Sequence, residues 1–171
     1  FAFEVPKKLI AQKPLPERSA SRLMHVDLAS NTSSHRRFTD FPDLLTSKDL
    51  LVFNNTRVLP ARIFARKGSG GRAEILIERI LDDRTALAHI RSNRAPPKKM
   101  KLFVLTKVSG ECSEIGLTVI QREGSLFMLS SEQKSFAKIL RDYGHLPLPP
   151  YIEREEGFDD KNRYQTVFAQ R

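Results

Sequence analysis

Between Val58 and Leu129 the chain is divided into short segments in which apolar and polar side chains alternate, with turn signals between them. Alternation with a period of two is typical of β-strands that bury one face. A strand is predicted from Val58, with Pro60 at an edge or bulge, and the paired glycines of the loop at 67–71 favour a tight hairpin. Further strands are predicted over 73–80, 85–91, 101–108, 115–121 and 126–129. Such a series predicts a small antiparallel β-barrel or a β-sandwich.

A helix is predicted after these strands. Ser130 and Gln133 have the spacing of a capping box, and Gly144 suits the C-terminal cap. The apolar face of the helix consists of Phe136, Ile139, Leu140 and Tyr143. The proline-rich segment 146–151 predicts an extended return from the barrel to the first part of the chain.

Before the barrel, an apolar run ends abruptly on polar side chains. Leu50 to Phe53 is typical of a strand covered on both faces, and Asn54, Asn55, Thr56 and Arg57 follow it. In open α/β sheets, ligands bind at that end of a strand. Two amides, a hydroxyl and a guanidinium suit a nucleoside or a carboxylate, although an Asn-rich turn that caps its own backbone is equally compatible with the pattern.

The positive charge is concentrated in the middle of the chain. The net charge is +9, and the segment from Arg57 to Lys101 contains twelve basic and four acidic side chains, a net charge of +8. A concentrated positive field attracts polyanions, so nucleic acid is the expected partner. A solvated basic surface that serves solubility is the alternative.

The sequence lacks the features of several other classes of protein. The chain of 171 residues has no apolar run near the roughly 18 residues of a membrane helix, and Cys112 is its lone cysteine. The four histidines are scattered, so no zinc site is expected. Glycine-rich nucleotide-binding motifs are absent, and two strands flank the glycines at 68–71, which favours a hairpin over a phosphate loop. We expect a cytoplasmic protein without structural metal.

Short motifs along the whole chain carry a resemblance to a known family. They are Pro16-Glu17-Arg18-Ser19 with Ser21-Arg22-Leu23, the stretch 49–62, Gly70-Gly71 with Glu74, the stretch 144–152, and Tyr164-Gln165-Thr166-Val167. In this order they resemble the S-adenosylmethionine:tRNA ribosyltransferase-isomerases of queuosine biosynthesis.

The resemblance implies an architecture: an α/β barrel-like domain interrupted by a small antiparallel β-barrel. Residues 1–57 would form the first part of the α/β domain, 58–130 the inserted barrel, and 131–171 a helix and the return into the α/β domain. The family continues beyond the Tyr-Gln-Thr motif, so both ends of this sequence are expected to be trimmed.

The resemblance also implies a reaction. The ribosyl part of S-adenosylmethionine would be transferred to 7-aminomethyl-7-deazaguanine at the tRNA wobble position and isomerised to give epoxyqueuosine, with adenine and methionine leaving. The expected partners are S-adenosylmethionine, as ribosyl donor, and tRNA carrying the deazaguanine, with no metal and no membrane.

This reaction requires a base that removes a proton beside the sulfonium, a donor for the departing adenine and a cation for the methionine carboxylate. Glu17 is a candidate base, although a salt bridge with Arg18 or Arg22 would explain it equally well. The candidate substrate-binding residues are Arg22, Asn54, Asn55, Thr56, Arg57, Tyr164, Gln165 and Thr166. The candidate tRNA-binding residues are Arg94, Lys98, Lys99 and Lys101. The alternative function, which rests on the basic segment alone, is a non-catalytic RNA-binding β-barrel module.

Overall fold

The chain forms two compact units. The computed structural model describes residues 3–108, 110–154, 157 and 159–170. The first unit comprises Phe1–Arg57, Pro150–Glu155 and Gln165–Arg171, and the second comprises Val58–Pro149 and Glu156–Tyr164. The boundary between Arg57 and Val58 falls where the alternating pattern begins.

The first unit contains a β-hairpin and short 3₁₀ helices. Strand β1 (Arg22–Asp27) pairs antiparallel with β2 (Thr32–Arg37), and Asn31 takes the positive φ of 52° between them. Asn tolerates this conformation better than most residues. The described 3₁₀ helices are Lys7–Leu9, Arg18–Ala20 and Phe38–Leu44.

The buried strand predicted at Leu50–Phe53 is wrong. The segment has no regular secondary structure, and Leu50 and Val52 are 88% and 86% exposed. No strand among the described residues pairs with it, and the Phe53 ring packs against Phe168 instead of into a sheet. The described part of the first unit shows the antiparallel hairpin, and the α/β barrel-like architecture stays a prediction.

The second unit is a closed six-stranded antiparallel barrel, which confirms the barrel and decides against the sandwich. Its strand order is β3-β4-β5-β8-β7-β6, and β6 pairs with β3 to close it. The strands are β3 (Arg62–Lys67), β4 (Arg72–Asp82), β5 (Thr85–Arg91), β6 (Lys101–Leu105), β7 (Cys112–Glu123) and β8 (Leu126–Ser131).

Alternate side chains of the strands fill the barrel. Large residues such as Ile63, Leu117 and Leu129 pack with the small Ala65 and Ala88, and all five are fully buried. Mixed sizes let the interior of a small barrel fill without voids. Helix α1 (Phe136–Tyr143) packs into the same core, and a short helix α2 (Asp160–Arg163) also belongs to this unit.

The capping box predicted at Ser130 is wrong, although the apolar face of the helix is as expected. Ser130 lies in β8, where it pairs with Thr118, and the N-cap of α1 is Ser135. Strand pairing extends β8 beyond the predicted end at 129. Phe136, Ile139 and Leu140 are buried in the barrel core, so the second unit runs to Pro149, past the boundary expected at 130.

Gly144 ends α1, as predicted, but for a different reason than expected. Its N–H donates to Leu140 O at 2.9 Å, and its φ is −77°, a value open to any residue. A Cβ at this position would collide with the carbonyl oxygens of Pro60 and Leu140. His145 and Arg62 exchange backbone hydrogen bonds of 2.8 and 3.1 Å directly after it, which fixes this close approach.

We expect Gly144→Ala to lower the free energy of unfolding by about 2 kcal/mol, because the added methyl group has no space between two carbonyl groups. Gly116→Ala in β7 is the matched control, since a Cβ there would lie 3.9 Å from Phe103 Cε1, an ordinary contact. Urea unfolding of both variants measures the difference. Equal midpoints would contradict the steric explanation.

Candidate functional site

The Asn54–Arg57 segment divides into residues that hold a turn and residues that remain available. Asn54 Oδ1 accepts hydrogen bonds from the backbone N–H of Thr56 (2.9 Å) and from its hydroxyl. Asn54 and Thr56 therefore form the self-capping turn that the sequence left open. Among the described residues, no hydrogen bond engages the exposed Asn55 amide or Arg57 guanidinium. These two side chains are the ones that a ligand could bind.

A second predicted segment lies beside this turn within the first unit. Gln170 N donates to Asn55 O at 3.0 Å, and the rings of Phe53 and Phe168 are 4.4 Å apart. Thr166 Oγ1 accepts a hydrogen bond from Phe168 N at 3.3 Å. The structure thus brings the Asn54–Arg57 turn next to the segment that contains Thr166. Tyr164 belongs to the second unit, where it ends α2.

The predicted residues near the start of the chain are exposed. Arg22 begins β1 opposite Arg37, and Arg18 Nη1 donates to Gln165 O at 2.9 Å. No ion pair between described residues includes Glu17, so the salt bridge with Arg18 or Arg22 does not form. The Glu17 carboxylate remains a candidate base.

A hydrogen-bonded turn precedes the exposed apolar segment. Asp49 Oδ2 accepts from Thr46 N at 2.7 Å and from Thr46 Oγ1 at 2.9 Å. These two bonds, the backbone one first, lower the pKa of Asp49. The bonds stabilise the folded turn more strongly while the carboxylate is ionised, because an ionised acceptor forms stronger hydrogen bonds than a neutral one.

The first unit also contains an open cavity of about 630 Å³, lined by Lys7, Lys8, Ile10, Gln12, Pro150, Tyr151 and Glu153. Gln12 connects the two chain segments that line the cavity. Its Oε1 accepts from Glu153 N at 2.7 Å, and its Nε2 donates to Tyr151 O at 3.0 Å. Lys7 bonds Glu153 at 2.6 Å, which raises the pKa of Lys7. The predicted substrate-binding residues are not among those that line this cavity.

The predicted tRNA-binding residues form a basic strip on the barrel. Arg94, Lys98, Lys99 and Lys101 are all exposed, and no ion pair between described residues includes them. The loop that carries them is held to the barrel, with Lys99 N donating to Val119 O at 2.7 Å and Gly68 N to Lys101 O at 2.9 Å. Lys99 has a φ of 68°, an uncommon backbone conformation for lysine.

Sequence reasoning missed the role of Lys67. This lysine continues the inward-facing series of Ile63 and Ala65 and is only 8% exposed. Its Nζ donates to Arg94 O at 3.1 Å and so attaches the basic strip to β3. The period of two through β3 is the signal that could have identified it.

The described residues contain no group of three or more His, Cys, Asp or Glu side chains arranged to hold a metal ion. In the same part of the chain, no helix is long and apolar enough to cross a membrane.

Comparison with known proteins identifies the family. The family described as queuosine biosynthesis protein matches residues 1–171, so the chain belongs to that family, which confirms the resemblance. The chain is also similar to a crystal structure, at 2.00 Å resolution, of an S-adenosylmethionine tRNA ribosyltransferase from Thermotoga maritima. The identity is 27%, the TM-score is 0.40, and the match covers 82% of this chain and 47% of that chain. The chain therefore spans about half the length of that protein.

We expect Thr46→Ala to bring the pKa of Asp49 closer to its ordinary value, because the variant loses the hydroxyl donor and keeps the backbone donor. Thr46→Ser retains a hydroxyl and is the control. A lowered folded pKa means that the turn is stabilised above the ordinary carboxyl pKa and loses this support as the pH falls through the folded value. A carboxyl-carbon NMR titration measures the shift, and identical titrations for both variants would contradict this account.

Proposed function

We propose that this chain is part of a tRNA-modifying enzyme of queuosine biosynthesis, acting in the cytoplasm. Family membership over residues 1–171 is the observation that carries the proposal. The basic strip supports it, since exposed cations without acidic partners suit an RNA backbone. We also propose that the first unit is one part of an α/β barrel-like domain in the complete enzyme.

The reaction we propose is transfer and isomerisation of the ribosyl part of S-adenosylmethionine onto 7-aminomethyl-7-deazaguanine at the wobble position, giving epoxyqueuosine. The carboxylate of the methionine part requires a cation, and the planar Arg57 guanidinium can bind it through two parallel hydrogen bonds. The Asn55 amide has both donors and an acceptor for a purine edge or a ribose hydroxyl. Asn54 and Thr56 hold the turn that presents these two groups.

The remaining candidate residues complete the proposed first-unit site. Glu17 is the proposed base that removes a proton beside the sulfonium, since its carboxylate is exposed and has no ion-pair partner among the described residues. Arg22, Gln165 and Thr166 are proposed as further substrate contacts of the first unit. Tyr164, in the second unit, is kept as a separate substrate-binding candidate.

The reaction predicts that the full-length protein releases adenine from S-adenosylmethionine only when the tRNA carries the deazaguanine precursor. Chromatography of the products with precursor tRNA, with unmodified tRNA and without tRNA measures this. Absence of adenine under all three conditions, with tRNA still bound, would instead support the non-catalytic RNA-binding module.

The same adenine-release assay tests the role of Arg57 with two variants. Arg57→Ala should lose most of the adenine release, whereas Arg57→Lys should retain part of it because a lysine keeps the charge and loses the two-pronged geometry. The melting temperatures of both should stay near that of the parent, because the exposed guanidinium packs on no core. Equal losses of turnover and melting temperature would show that Arg57 is structural.

The basic strip predicts a salt-dependent loss of tRNA binding in the combined variant Arg94→Ala, Lys98→Ala, Lys99→Gly and Lys101→Ala. Glycine replaces Lys99 because it accepts the positive φ. The slope of log affinity against log salt should fall by up to about 0.9 for each lost phosphate contact. The control replaces four exposed basic residues elsewhere on the barrel, Arg79, Arg84, Lys107 and Arg122, with alanine. Equal slopes for the two variants would show that only net charge matters.

A further inference from the structure

The outward face of the barrel contains a row of residues that crosses four neighbouring strands. In the register of the sheet, Arg72 on β4 lies opposite Arg66 on β3, Arg66 lies opposite Phe103 on β6, and Phe103 lies opposite Gly116 on β7. Their neighbours along the strands are buried in the core, so these positions face outward. Arg72, Arg66, Phe103 and Gly116 are called the Arg66 row below.

The two arginines of the row repel each other. Directly opposite residues on antiparallel strands have Cβ atoms about 4.5–5.5 Å apart, and like charges in such a pair are destabilising. No ion pair between described residues includes Arg66 or Arg72. Glu74, two residues along β4 on the same face, lies 3.1 Å from Arg62 Nε. The repulsion is therefore uncompensated within the described part of the barrel.

An aromatic ring lies beside these charges. Phe103 is partly exposed, and its neighbour across the sheet is Gly116, which has no side chain and is itself buried. The Gly116 N–H is satisfied by Gln133 Oε1 at 3.3 Å, just beyond the end of β8. The row therefore presents two exposed cations and a partly exposed ring.

The Arg66 row continues into the basic strip. Lys101 lies two residues from Phe103 on the same face of β6, and its carbonyl accepts from Gly68 N in the hairpin that joins Arg66 to Arg72. A polyanion bound to the strip would thus find further cations on the face of the sheet. Cations interleaved with an aromatic ring are the arrangement that binds single-stranded nucleic acid.

We propose that the Arg66 row binds an unpaired stretch of tRNA, with phosphates on Arg66 and Arg72 and one base stacked on Phe103. This inference rests on the proposed function and adds the surface that would read an unpaired strand. A ring can stack only on a base that is free of its helix, so the row favours loop nucleotides over duplex. The phosphates would also neutralise the repulsion between the two arginines.

The decisive variant is Arg66→Glu in the full-length protein. A glutamate opposite Arg72 replaces a repulsive pair with an attractive one, so the melting temperature should rise by about 1–3 °C. The affinity for a labelled oligouridylate of about ten nucleotides should fall at least about tenfold, measured by fluorescence anisotropy. Arg79→Glu is the matched control, because Arg79 lies on β4, the strand of Arg72, and already pairs with Glu78 at 3.5 Å. The affinity of this variant should change by less than about threefold.

Phe103→Leu tests the ring separately from the charge. Leucine keeps an apolar side chain, so the variant should bind the oligouridylate about fivefold more weakly and an RNA duplex of the same length with unchanged affinity. Three results would overturn the proposal. One is an equal loss of affinity in Arg66→Glu and Arg79→Glu. Another is an equal loss on duplex and single strand in Phe103→Leu. The third is tighter binding of polyglutamate than of RNA, which would indicate an acidic protein partner.

These outcomes are separable from those of the adenine-release assay. An enzyme that releases adenine while Arg66→Glu leaves tRNA binding unchanged would overturn only the Arg66 row. A protein that binds the single strand through the row and releases no adenine would overturn only the reaction.

Discussion

Closure of the barrel by the pairing of β3 with β6 is the interaction on which the second unit depends. Three register pairs make this closure, Ala65 with Val104, Arg66 with Phe103 and Lys67 with Leu102. Without it, both strands would present unpaired edges, which favour aggregation. The same pairing also fixes which alternate residues of β3 face the core, and therefore which of two adjacent basic residues faces inward. Lys67 lies inside and holds the loop of Arg94, whereas Arg66 lies outside beside Phe103.

The sequence predicted most strands of the barrel because their signal is local, and it left barrel and sandwich open because closure is a long-range pairing. Period-two alternation and the glycine hairpin at 67–71 depend only on neighbouring residues, and so does the apolar face of α1. The failures involve contacts between distant residues. The spacing of Ser130 and Gln133 predicts a helix cap, whereas Ser130 pairs with Thr118, a contact that spacing does not show. Gly144 ends the helix as predicted, but one reason it is required, the carbonyl of Pro60, lies far from it in sequence. Leu50–Phe53 shows that an apolar run indicates a tendency to be buried without specifying what covers it.

The sequence predicts that polar side chains cluster at the candidate site of the first unit, but it does not predict the role of each side chain. Four polar side chains after an apolar run identify a concentration of hydrogen-bonding groups. The sequence does not show which of these side chains form hydrogen bonds within the protein. In the structure Asn54 bonds Thr56, whereas Asn55 and Arg57 remain exposed. The pairing of Asn55 with Gln170 is also a long-range contact. Two residues of the turn, Asn54 and Thr56, therefore hold its structure, and the other two remain available to a ligand.

The relative size of two energies explains why the barrel can carry a repulsive pair of arginines on its surface. Each large apolar side chain that is fully buried contributes about 1.5–3 kcal/mol, and the core contains Ile63, Ile75, Leu102, Leu117, Leu129 and Phe136, all fully buried. Like charges directly opposite each other across two strands are destabilising, on a scale where favourable cross-strand pairs contribute about 0.2–1 kcal/mol. Because the core contribution is several times larger, the fold is not threatened by surface charges arranged for a ligand. Residues that weaken the surface without serving the core are therefore informative about binding, and Arg66 and Arg72 meet that description.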